Sequence, residues 1–218
     1  NHAINRTDSN HAGTPSALFQ ALRRNAEFRL LFADRVHRHL QDGGALSLAA
    51  TQARWNVLAA ALDQPIVAES ARWGGTADET PYGNTESRPG VPLRREYTRE
   101  ADWRPAVEHV SGTYLPSLYE TTHSYAIMNE LRAAGLVPRI GPPSFSIAGG
   151  FVDAGTRLVI GAPSGAIYVT TDGSDPRQPI TGDPQGTAYA GPLALSHPMT
   201  VRARVRSSTG EWSALTEA

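Results

Sequence analysis

The stretch MTVRARVRSS, residues 199–208, decides how this chain is read. From Val201 to Arg206 apolar and basic side chains alternate strictly, Val201, Ala203 and Val205 against Arg202, Arg204 and Arg206. A period of two is that of a β-strand. Apolar residues on one side and charges on the other describe an antiparallel strand with one face on a core and one in water. Further short runs surround it: SFSI (144–147), RLVIGA (157–162), AIYVTT (166–171), TAYAGPLAL (187–195) and EWSALTE (211–217). Gly, Pro, Asp and Ser clusters separate them, as turns require. Six or seven strands at this spacing predict a small immunoglobulin-like antiparallel β-sandwich over residues 144–218.

Upstream the period changes. Phe28, Phe32, Val36 and Leu40 recur every four residues with Leu31 beside them, one buried stripe of a helix over 26–41. Asn25 is placed to cap it, and Gly43 and Gly44 stop it. Thr14 and Pro15 open a shorter helix before it. Ser47 opens a third, carrying Leu58, Leu62, Ile66 and Trp73, in which Pro65 forces a kink or a restart with Asp63 as a new cap. Thr98 begins a helical stretch with Glu100 and Asp102 in its first turn. Pro116 begins the last helix, running to about Ala134 with Leu118, Tyr125, Met128 and Leu131 inward. Residues 76–97 carry no period and read as a long loop.

The expected organisation is therefore α+β in two segregated parts. An irregular arm (1–13) precedes an all-α bundle of about five helices (14–137). A linker follows at 138–143, within the Pro- and Gly-rich GLVPRIGPPS, and the β-sandwich occupies 144–218.

Composition narrows the chemistry. The 218 residues contain 40% apolar and 19% charged side chains, enough apolar material for a core. The net charge of −1 provides no global field for nucleic acid. No apolar run is long enough to span a membrane. With no cysteine there is no disulfide, thiolate metal site or thiol nucleophile. Every one of the 20 basic residues is arginine, so no Schiff base and no Walker-type phosphate loop can form. No G-x-S-x-G turn is present for serine hydrolysis.

Two resemblances refine this reading. The run YVTTDGSDPR (168–177), with GTAYAGPLAL (186–195) and TVRARVRSSTGEWS (200–213), resembles the chitobiase/β-hexosaminidase C-terminal-type module, also called the fibronectin-III-associated domain. The resemblance implies an accessory β-sandwich of secreted bacterial enzymes and surface proteins, hence an extracellular or cell-surface location. The helical runs LFQALRRNAEFRLLFADRVHRHL (18–40), GGALS (43–47), IVAESARWG (66–74) and LRAAGLVP (131–138) look like the C-terminal helical portion of secreted CotH-kinase-family proteins, relatives of a spore coat protein kinase. In that family the nucleotide and metal are held by residues further upstream, for which this sequence has no match. The resemblance therefore carries over no catalytic residue. It implies a non-catalytic portion acting as a scaffold, with kinase activity expected only if the native chain extends upstream.

Several residues remain as candidate sites. Tyr168, Tyr189 and Trp212 could stack on the faces of sugar rings, which makes an extracellular polysaccharide an alternative ligand. Arg202, Arg204 and Arg206 form an outward ladder suited to an anionic glycan or a partner's carboxylates. Asp172, Asp175 and Asp183 crowd one loop region and could hold calcium, although their spacing matches no EF-hand. On the 26–41 helix, Asp34 and Arg38 are placed as an i, i+4 surface pair. The exposed face of the helical part is the expected docking place for a missing N-terminal half or another protein.

Overall fold

The computed structural model of the chain describes residues 9–41, 43–73, 97–123 and 126–218. The loop expected over 76–97 falls, except for Tyr97, outside the described residues, as does most of the 1–13 arm. The chain divides into two compact units, one formed by residues 1–47 and 121–218 and the other by 48–120. This division does not coincide with the boundary expected at 138–143. Within that stretch Pro143 is fully buried, and just before it Leu136 and Val137 are also buried. What composition reads as a linker is therefore packed chain.

In the first unit, helix α1 (Pro15–Leu22) leads into α2 (Ala26–Leu40). The Asn25 side chain caps α2, accepting hydrogen bonds from the backbone N–H groups of Glu27 (2.8 Å) and Phe28 (3.2 Å). The aromatic part of the expected stripe packs on α1: the rings of Phe19, Phe28 and Phe32 lie with centroids 6.3 Å apart. Ala33 of α2 lies in a second cluster with Val137 and Ala214, flanked by Val36, Met128 and Leu131. Met128 and Leu131 belong to helix α7 (Ile127–Ala133), so α7 packs on α2.

In the second unit, helix α3 (Leu48–Leu62) is followed by α4 (Pro65–Trp73). Pro65 restarts the helix rather than kinking it, occupying the first-turn position where its missing N–H costs nothing. A second helical path runs from Arg99 to Tyr119 through α5 (Arg104–His109) and α6 (Leu115–Tyr119). π-helical turns at Arg99–Trp103 and Val110–Tyr114 interrupt it. Each π turn stands just ahead of a proline, Pro105 or Pro116. Widening the helix to i→i+5 bonding lets a proline sit inside without colliding with the carbonyl behind it. The helix expected to start at Pro116 thus begins earlier. It also ends at Tyr119, where Glu120 turns to extended backbone (ψ 113°). Thr121, Thr122 and His123 are poor helix formers. The Asn129 amide ties off this break by donating to the carbonyls of Thr121 (2.7 Å) and His123 (2.9 Å). One helix was expected where α6 and α7 stand.

The β-part contains the strands β1 (Ser144–Phe145), β2 (Thr156–Leu158), β3 (Ile160–Gly161), β4 (Ala166–Thr170), β5 (Thr187–Ala188), β6 (Leu193–Leu195), β7 (Arg202–Arg206) and β8 (Thr216–Glu217). Among the described residues all strand pairs are antiparallel: β1 with β3, β2 with β6, and a four-stranded sheet in the order β5-β4-β7-β8. One core joins them, with Leu158, Ile160, Val169, Val201 and Ala203 buried and Phe145, Ile167, Tyr189 and Leu193 packed against them. The chain is thus α+β, with small antiparallel sheets in its C-terminal part. Val201, Ala203 and Val205 face inward as their alternation requires. The other face of β7 departs from expectation: Arg204 is only 2% exposed. The strand is buried on both sides there, because helix α2 brings an acid to the arginine face.

Candidate functional site

The register of the four-stranded sheet places Arg204 directly opposite Tyr168, and Arg202 opposite both Thr170 and Glu217. Trp212 bridges back to Arg206. Five of the six residues singled out as ligand candidates therefore share one sheet face: Tyr168, Arg202, Arg204, Arg206 and Trp212. Tyr189 does not. It packs on the core, and its hydroxyl accepts a hydrogen bond from the backbone N–H of Ile160 (3.0 Å).

Each arginine of the ladder meets different chemistry. Arg202 reaches along its own sheet to Glu217, with Nε donating to Oε2 at 2.6 Å. Arg206 lies over the indole of Trp212, its Cζ 5.7 Å from the ring centroid, and its buried Nε has no hydrogen-bond partner among the described residues. Arg204 is saturated. Its Nη1 and Nη2 grip Asp34 Oδ1 and Oδ2 at 2.8 and 2.7 Å. Its Nε and Nη2 grip Asp175 Oδ1 and Oδ2, both at 2.7 Å. Nη1 also donates to the carbonyl of Ser213 at 2.8 Å. These five bonds use all five guanidinium N–H groups. Burial works against the Arg204 charge, but the bonds to Asp175 and Asp34 more than offset it, so the guanidinium is held above its ordinary pKa.

Asp34 is thus not the surface partner of Arg38. It serves Arg204 and also accepts from the backbone N–H of Leu215 (2.9 Å). One turn on, His37 is buried, with Nε2 3.1 Å from the Thr216 hydroxyl and Nδ1 3.2 Å from Gln41 Oε1. A second tie joins α2 to the β-loop: Arg177 Nη1 donates to Glu27 Oε2 at 2.8 Å. That bond, with smaller help from the backbone N–H of Ile180, holds the Glu27 carboxyl below the usual range against the opposing effect of burial. Sequence reading missed Asp34, Glu27 and His37 as members of this face. The available signal was a polar row, Glu27, Asp34 and His37, on a helix whose neighbouring stripe is apolar.

The aromatic candidates do not form a flat exposed row. Trp212 is 6% exposed, its Nε1 donates to the carbonyl of Gly182 (2.8 Å), and its ring lies 5.4 Å from that of Tyr168 at a tilt of 57°. The three aspartates do not converge either. Asp172 accepts from the backbone N–H and hydroxyl of its near neighbour Ser174, at 2.9 and 2.6 Å. These bonds hold its carboxyl below the usual range. Asp175 is engaged by Arg204, and the backbone of Asp183 closes its own turn by accepting from the Gln178 N–H (2.8 Å). Among the described residues no three His, Asp or Glu side chains gather as a metal-ligand group. Among those residues, too, no helix is long and apolar enough to cross a membrane.

The arrangement can fix one layer on another, and it leaves a groove beside α2. Comparison with known proteins agrees with the β-part. A family model described as "Fn3 associated" matches residues 158–217, from the end of β2 to β8, and leaves the helices outside the match. No curated protein and no solved structure matches the chain. The C-terminal part of this chain is thereby supported as a fibronectin-III-associated β-module.

Proposed function

We propose that this chain is a non-catalytic, structural portion of a secreted or cell-surface bacterial protein. Its helices, which resemble the C-terminal part of CotH-like kinases, act as an interaction scaffold. Its β-module, read as a small immunoglobulin-like sandwich, is an accessory held in fixed orientation on helix α2. The observation that carries this reading is the burial of Arg204 between Asp34 of α2 and Asp175 of the β-module. A module built to sample ligands from a flexible tether has no use for a saturated buried ion cluster at its root. A scaffold whose two layers must keep one orientation does. The exposed side chains of Val57, Leu58, Leu62 and Val67 on α3 and α4 support a protein-binding role for the helices.

Backbone ¹⁵N relaxation of the whole chain tests the fixed orientation. Amides of α2 and of strands β4 and β7 are expected to report one common rotational correlation time. Separate correlation times would overturn the proposal. The non-catalytic part is tested by magnesium-dependent ATP turnover, where sustained turnover by this chain would overturn it.

A further inference from the structure

Beside the Asp34–Arg204 contact lies a groove of about 420 Å³, walled by α2 on one side and by β7 and β8 on the other. Its polar lining is not evenly balanced. Asp34 and Asp175 turn their carboxylates onto Arg204, which leaves that cluster one negative charge, and Glu217 is held by Arg202, so with Arg35 and Arg38 the groove carries one net positive charge. His37 is hydrogen-bonded to Gln41 and Thr216. Arg35 and Arg38 also line the groove, are exposed, and their side chains make no hydrogen bond or ion pair among the described residues. They stand three apart on one helix, close enough for like charges to repel. An anion between them would remove that repulsion and could take paired bonds from either guanidinium. Leu31 and Leu215 give the groove an apolar component. The α2 and β7 walls are held together by the bonds of the buried cluster, which preorganises them.

We propose that this groove binds a small organic anion: a carboxylate or phosphate head gripped by Arg35 and Arg38, on an apolar body that covers Leu31 and Leu215. The volume suits a ligand of that size, near the lower end of ordinary small-molecule sites. Guanidinium groups accept either head, so the shared chemistry is the oxyanion, and the source is left to the probes.

The test is an NMR titration of the whole chain with benzoate and with phenyl phosphate, using acetate and inorganic phosphate as head-only probes. Saturable shifts are expected at the Arg35 and Arg38 side-chain N–H groups and at the Leu31 and Leu215 methyls, with dissociation constants of about 1 mM or below. The tighter of the two aromatic probes identifies the preferred head. The double variant Arg35→Gln/Arg38→Gln is expected to weaken binding at least about tenfold. Both residues are exposed, and an unchanged thermal melt will show that the variant folds. Leu31→Gln keeps both arginines without adding a charge and is expected to abolish the advantage of the aromatic probes over their head-only counterparts. The absence of saturable shifts up to about 20 mM, far above the range for a specific site, would overturn the proposal. So would undiminished binding by the double variant, or equal affinity for acetate and benzoate.

Discussion

Asp34 and Arg204 meet in a two-bond fork, 2.8 and 2.7 Å, across 170 positions of sequence. The arginine is nearly inaccessible and the aspartate mostly buried, at 2% and 16% side-chain exposure. Removing Asp34 leaves Arg204 paired with Asp175, but it strands two guanidinium N–H groups and the Leu215 N–H in a buried place. Asp34→Ala is therefore expected to cost about 2–4 kcal/mol in urea unfolding. Asp34→Leu, Arg204→Met and Asp175→Asn together remove all three charges and nearly keep volume, and are expected to recover most of that loss. A loss of under about 1 kcal/mol for Asp34→Ala would place the pair among ordinary surface bridges.

Glu27 gives the molecule an acid-sensitive tie. Arg177 holds its carboxyl below the ordinary value of 4.5. A carboxylate whose folded-state pKa is lowered stabilises the fold above its unfolded pKa, and that contribution disappears as pH falls through the lowered value. Stability should therefore fall below about pH 4.5, and Glu27→Gln should flatten that part of the profile while lowering stability at pH 7. Urea midpoints from pH 7 to pH 2.5 check this. Parallel curves for the two proteins would remove Glu27 from the account.

Much of the architecture was legible because periodicity is local. The alternation of 200–206, the Asn25 cap and the Phe28–Phe32 stripe all fold as their spacing requires. Two kinds of feature were not legible. Pro116 looks like a helix start, but the preceding turn widens to a π-helix and takes the proline inside, which no period announces. The arginine ladder looks solvated because the second face of a strand is set by whatever packs there. The residue that covers Arg204 comes from a helix far away in sequence. The same reasoning made Asp34 a partner for Arg38: four residues apart is the nearest explanation available without tertiary structure, and the true partner is distant.

Gly165 tests the tight turn between β3 and β4. Its φ is +87°, and a Cβ there would stand 2.7 Å from both the Arg206 carbonyl oxygen and Val205 Cγ1. One of these is backbone and the other a fully buried side chain, so neither can step aside easily. Gly165→Ala is expected to destabilise by roughly 2 kcal/mol or more, through strain and overpacking together. Gly191→Ala is the control, since it has no positive φ and nothing within 4 Å of the added carbon. Equal thermal midpoints for the two variants would show that the turn yields.

Ile180 makes the reverse prediction, a substitution that stabilises. It holds φ 69°, a left-handed conformation that disfavours β-branched side chains. The Thr181 N–H donates to the Pro179 carbonyl at 2.8 Å, closing a three-residue turn around Ile180. The turn presents the Ile180 N–H to Glu27, so the strain accompanies the tie to α2. The side chain itself is 88% exposed and contributes little burial to weigh against that strain. Asparagine visits this region readily and leaves the backbone bond in place. Ile180→Asn is therefore expected to raise stability by about 1 kcal/mol, a fraction of the usual left-handed penalty. Ile180→Val, branched in the same way, should leave it unchanged. Both are read from thermal and urea midpoints. A lower midpoint for Ile180→Asn would mean that the isoleucine side chain, despite its exposure, holds the loop in place.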